Sequence, residues 1–122
     1  MDREALEALF EPFGPVSVKR MFGGAGIYAD GLCFALELGG EVFVKVDAET
    51  EAVFRDAGSS PFVYHAKGKP MTMAYWRLAA AAYDDSDELR RYAALGLDAA
   101  RRAAAAKAKP KPSRKPPAKR KA

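Results

Sequence analysis

Histidine and cysteine are almost absent from this sequence: His65 and Cys33 are the only residues of their types. A lone cysteine forms no internal disulfide, which excludes a disulfide-stapled secreted scaffold. One histidine and one cysteine also fall short of a zinc-ligand pattern, and they form a nucleophile–base pair only on paper. No apolar run approaches the roughly 18–20 residues of a membrane span. The opening MDREALEALFEPFG carries acids where a signal peptide carries bases and has no apolar core segment, so a cytoplasmic protein is expected. No internal repeat is visible.

The other shortages are positional. No acid follows Asp98, and no apolar residue other than alanine and proline follows Leu97. Residues 1–98 hold all 16 acids and 10 of the 20 bases, a net of −6, while residues 99–122 hold the other 10 bases and no acid, a net of +10. About 100 residues of ordinary apolar content suffice for one domain burying roughly two-thirds of its unfolded surface. Residues 1–100 are therefore expected to form that domain, and residues 101–122 a helix extension followed by a disordered basic tail rich in lysine and proline.

Periodicity sets the expected elements. Leu6, Leu9, Phe10 and Phe13 share one helical face behind Asp2, a candidate N-cap. Alternation then predicts strands at Val16–Phe22, at Ile27-Tyr28, in LCFALEL and in EVFVKV, with Asp30-Gly31 and Gly39-Gly40 as tight turns. In LCFALEL, Leu32, Phe34, Leu36 and Leu38 fall on alternate positions, with Cys33 pointing the other way. Asp47 caps a short helix to about Ala57 that buries Val53 and Phe54. PFVYH and MTMAYWRL predict two further strands around a KGKP loop, with Tyr75 and Trp76 on opposite faces. A third helix starts near Asp84–Ser86, and from Asp98 to Ala106 it has nothing large to bury, so a solvated rod is expected there. The order is α-β4-α-β2-α: an α+β fold with helices on one face of an antiparallel sheet.

Motifs for chemistry are sparse. The cluster FGGAG matches neither dinucleotide-binding nor P-loop spacing and lies between strands, not before a helix. It reads as a bulge or tight bend where a side chain would not fit, with a backbone-mediated binding loop as the alternative. Cys33, between large apolar residues, reads as an inert filler. The acids of DDSDE read as a helix cap favourably placed on the dipole. KGKP with Tyr64, Tyr75 and Trp76 mixes bases and aromatics, the ingredients of a nucleic-acid surface. The candidate interaction surface is therefore Gly23, Gly24, Gly26, Lys45, Lys67, Lys69 and Trp76. No catalytic set, metal site or cofactor is implied. The bases Lys107, Lys109, Lys111, Arg114, Lys115, Lys119, Arg120 and Lys121 predict nonspecific attraction to nucleic-acid backbones through counterion release.

The string Arg20-Met21-Phe22-Gly23-Gly24-Ala25-Gly26-Ile27-Tyr28 resembles the signature of the TfoX/Sxy N-terminal domain family. Asp30-Gly31, Phe43-Val44-Lys45-Val46-Asp47, Pro61-Phe62-Val63-Tyr64, and Lys67-Gly68-Lys69-Pro70 with Met73, Tyr75 and Trp76 follow in the family's order. The resemblance spans about residues 3–100. It implies a two-layer, secretion-chaperone-like α+β fold and a role near transcription, since two-domain members regulate competence genes with a cyclic-AMP receptor protein. It implies no enzymatic activity. The sequence departs from the family at Ala79–Ala82, where relatives tend to have a proline and acids. It also carries a Lys/Pro tail where two-domain regulators have a second, helical module. The expected function is a non-enzymatic regulatory or interaction module. Its body contacts a protein partner, from the transcription machinery or as a homodimer, and its tail binds DNA nonspecifically. A small-molecule-binding domain and a chaperone-like domain without nucleic-acid contact are the alternatives.

Overall fold

A computed structural model describes residues 1–21, 23–66 and 68–108. Helix α1 (Arg3–Phe10) begins where the Asp2 carboxylate accepts the Ala5 N–H at 2.8 Å, and it buries Leu6 and Phe10 completely. Four strands follow: β1 (Ser17–Met21), β2 (Gly24–Ala29), β3 (Leu32–Leu38) and β4 (Glu41–Lys45). Helix α2 (Glu51–Asp56), β5 (Pro61–Ala66), β6 (Lys69–Arg77), a 3₁₀ turn (Ala80–Tyr83) and helix α3 (Ser86–Ala108) complete the order. All strand pairs are antiparallel, in the order β1-β2-β3-β4-β6-β5. The α+β architecture is the one read from periodicity. The two tight turns also agree: Asp30, Gly31, Gly39 and Gly40 all have positive φ, as two-residue hairpin turns of the primed type require.

The helices pack on one face of the sheet, with α3 crossing β3 and β4. Which residues reach that face is set by one irregularity. Ile27 pairs with Ala35, but Tyr28 pairs with Cys33, so β3 carries one extra residue, Phe34, opposite β2. A bulge of this kind turns two successive side chains to one side and reverses the alternation beyond it. Phe34 and Ala35 are both fully buried beneath the helices, with Phe34 edge-on to Phe10 at 5.5 Å. Leu36 and Leu38, expected in line with Phe34, are thereby turned to the opposite face, and Glu37 is turned inward.

Glu37 is only 3 % exposed, and a carboxylate buried so deeply must be paired. It accepts from the Met1 ammonium at 3.2 Å, the Arg20 guanidinium at 3.4 Å and the Gly40 N–H at 2.8 Å.

Other expectations are corrected. Gly24 and Gly26 do not form a bend between strands; they lie inside β2. They exclude side chains for the reason anticipated, because a Cβ on Gly24 would sit 2.2 Å from the Glu37 carbonyl oxygen, and one on Gly26 would sit 2.6 Å from the Met21 methyl. Lys69 and Pro70 belong to β6, not to a loop. Thr50, not Asp47, occupies the N-cap of α2, and Phe54 is its buried residue while Val53 packs at the margin. The solvated rod is also wrong for its first turn. Ala99 and Ala100 are buried, because small side chains let α3 lie close to the sheet where larger ones would hold it off.

The tight approach predicts two unequal glycine effects. Gly96→Ala places a Cβ 2.4 Å from Val44 Cγ1 and 3.0 Å from the Phe34 carbonyl. Its overpacking, about 1–3 kcal/mol, opposes a helix-propensity gain of at most about 1 kcal/mol. A net loss of stability is expected in urea titration. Gly24→Ala, which collides with backbone, should lower the midpoint further.

Candidate interaction face

The face turned away from the helices is covered by no other element among the described residues. Strand register arranges its side chains in cross-strand rows. The middle row runs Lys19, Gly26, Leu36, Phe43, Arg77. Toward one end lie Met21, Gly24, Leu38 and Glu41; toward the other lie Ser17, Tyr28 and Cys33, with the pair Lys45 and Tyr75. The first end is aliphatic and closed off by an Arg77–Glu41 ion pair. The second is aromatic and basic.

At the aromatic end the Tyr75 hydroxyl reaches across β4 to within 3.9 Å of Cys33 Sγ, and Cys33 is the cross-strand partner of Tyr28. Burial, followed by the neighbouring Cys33 and Tyr28, pushes the Tyr75 hydroxyl well above the usual tyrosine range, so it stays neutral. Three rings on this face have a cation over them. Lys19 Nζ lies 5.8 Å from the Tyr28 centroid, Lys45 Nζ 5.1 Å from that of Tyr75, and the Arg77 guanidinium 5.5 Å from that of Phe43. Phe62 stands against Phe43 at 5.0 Å. The two glycines of β2 form the floor on which Met21, Tyr28 and Leu38 lie flat.

Of the residues expected to form one surface, Gly24, Gly26 and Lys45 come together here. Gly23 sits in the turn before β2, and Lys69 is exposed at the start of β6. Trp76 is on the helix side, nearly buried, beneath Arg55 at 5.6 Å. There it borders a groove of about 760 Å³ with Asp47, Ser59 and Ser60. Lys67 lies outside the described residues, as do the tail bases from Lys109 onward, while Lys107 is exposed on the last turn of α3. Lys19, Tyr28 and Arg77 are not among the surface candidates read from sequence, and Cys33 is read there only as an inert filler. Alternation places them on strand faces, but only register places them beside Lys45 and Tyr75.

A family model, that of the TfoX N-terminal domain, matches residues 8–100. The chain belongs to this family. The match covers every described strand and helix α2, and it ends at Ala100, the last buried residue of α3 among those described. No curated protein matches the chain as a relative. Membership in the TfoX N-terminal domain family supports a competence-related regulatory domain, and the family is not known for enzymatic activity. No helix among the described residues is long and apolar enough to cross a membrane.

In this TfoX N-terminal domain the far end of α3 is tied to the sheet by charge. Arg102 donates to both oxygens of Asp47, at 2.6 and 3.0 Å, and Arg101 pairs with Asp30. The Arg102 hydrogen bond holds the Asp47 carboxyl below the usual carboxylate range. A depressed native value means the pair adds stability above the unfolded pKa and loses it as pH falls through the folded one. Arg102→Ala should therefore lower the Tm slightly near neutral pH, and the difference from the parent should vanish in acid. Differential scanning calorimetry across pH 2–7 checks both.

A neutral bond is expected to matter more. The Tyr83 hydroxyl accepts the Val42 N–H at 3.0 Å, so Tyr83→Phe leaves that buried donor unsatisfied at a cost of about 1–3 kcal/mol, readable in urea titration.

Proposed function

We propose that this chain is a non-enzymatic regulatory module whose folded body holds a protein partner and whose basic C-terminal segment adds weak, sequence-independent affinity for DNA. The family supports the regulatory part of this reading. Segregation of charge supports the rest, and it is the observation that carries the proposal. The body to residue 98 is net negative, and the eight bases of residues 107–122 stand without an acid. An acidic body repels a duplex over most of its surface, so contact with DNA falls to the segment beyond it. For the protein partner, the helix side of the sheet is already spent on the core. The aliphatic end of the other face, with Met21, Leu36 and Leu38 half-buried, offers the apolar anchors that a partner from the transcription machinery would cover.

Fluorescence anisotropy on a labelled random-sequence duplex tests the DNA part, comparing residues 1–122 with 1–106 across a salt series. Among the described residues, truncation at 106 removes none that is buried in the core. If the tail neutralises about six phosphates, log K against log salt should slope near −5 for the full chain, with little binding by 1–106. Equal duplex binding by both forms would remove the tail from the reading.

A further inference from the structure

We infer that the aromatic end of the uncovered sheet face, together with the groove along β1, is a binding site for single-stranded nucleic acid, separate from the tail's attraction to duplex DNA. Three features converge there. Tyr28 and Tyr75 are both partly buried on the face that no other described element covers, and both approach Cys33. Rings held in this way are stacking surfaces for bases, and stacking tolerates any sequence because every base has a π-face. Each ring also has an ammonium over it, Lys19 at 5.8 Å and Lys45 at 5.1 Å, which a stacking base would displace on its flexible stem toward the nucleotide's own phosphate. Finally, a groove of about 620 Å³ runs from Tyr28 along the edge strand and brings Arg3, Lys19 and Arg20 to its wall. Its one acid, Asp30, is engaged by Arg101.

Charge complementarity selects the occupant. Among the described residues the face carries Lys19, Lys45 and Arg77 against Glu41, whereas the acids of α1 and of residues 84–88 lie in the helical layer behind the sheet. An anionic strand is thus attracted to a face of this acidic body on which bases outnumber acids among the described residues. A second copy would bring the same excess of bases face to face, and the chain's own lysine-rich segment has the wrong sign. A duplex keeps its bases stacked on one another and offers the rings nothing. The aliphatic end, beyond the row of Leu36 and Phe43, lies outside this site and stays available to a protein.

The test uses the full chain with a fluorescein-labelled twelve-residue oligothymidine and, in parallel, the same oligomer carrying 5-iodouracil for photocross-linking and peptide mass spectrometry. Cross-links are expected at Tyr28 or Tyr75. Tyr28→Leu and Tyr75→Leu should each weaken binding roughly tenfold, while Tyr75→Phe, which keeps the ring, should bind like the parent. Lys19→Gln and Lys45→Gln should each lower the salt slope by about 0.7, the single-strand increment for one phosphate. Each variant is first matched to the parent in Tm, so that loss of fold is separated from loss of contact; for one that fails, cross-linking of the unaltered chain remains decisive. Cross-links confined to residues 107–122, with affinity unchanged in both leucine variants, would overturn the site and leave the face to protein contact. The tail reading is tested on duplex DNA, so either proposal can fail while the other stands.

Discussion

The architecture depends on one extra residue in β3. The bulge at Phe34 places two consecutive side chains, Phe34 and Ala35, beneath the helices and reverses everything beyond them. Without it, Leu36 and Leu38 would enter the core and Glu37 would point to solvent. With it, a carboxylate is buried and two leucines are turned, half-buried, to the uncovered face. Both consequences are unfavourable in isolation, and both are compensated nearby. The Met1 ammonium, Arg20 and the Gly40 N–H surround Glu37, tying the start of α1, β1 and the β3–β4 turn to one buried charge. Leu38 folds down over Gly24, whose missing side chain makes room for it.

The same irregularity prepares the surface for function. A sheet with one helical layer has a face left over, and what that face presents depends on strand register. Here the register sorts the side chains into an aliphatic end and an aromatic, basic end within one row's distance of each other. The glycines of the family signature serve this face more than they serve the turn. Only Gly23 occupies a turn, while Gly24 and Gly26 keep the floor low enough for Met21, Tyr28 and Leu38 to lie flat. The face is a platform, with a groove along the exposed edge of β1.

The helical layer is held by a different device. Large side chains anchor its centre, where Phe54 meets Tyr92 at 5.2 Å. Further along, α3 narrows to alanine and glycine, and the attachment passes to close backbone approach and to the arginines that reach Asp47 and Asp30. Those two arginines belong to the run of ten bases that ends the chain, but they serve the fold. The bases proposed to meet DNA begin only at Lys107, where α3 has passed the last buried residue.

Much of this was legible in the sequence because it rests on local patterns. The order of elements follows from periodicity, and the hairpins follow from Asp30-Gly31 and Gly39-Gly40, whose backbone angles few other pairs adopt. The split between an acidic body and a basic end is a matter of composition. The family is carried by contiguous motifs. Tertiary structure alone decided the facing of Leu36, Glu37 and Leu38, since an alternating string reads identically with or without a bulge and the bulge exists only through pairing with β2. It alone docked Ala99–Arg102, whose alanines gain from burial only when another layer lies close beneath them. It alone separated Trp76 from Lys45 and joined Lys45 to Lys19, Tyr28 and Tyr75, because residues from four strands become neighbours through hydrogen-bonded register, a long-range relation that no local spacing encodes.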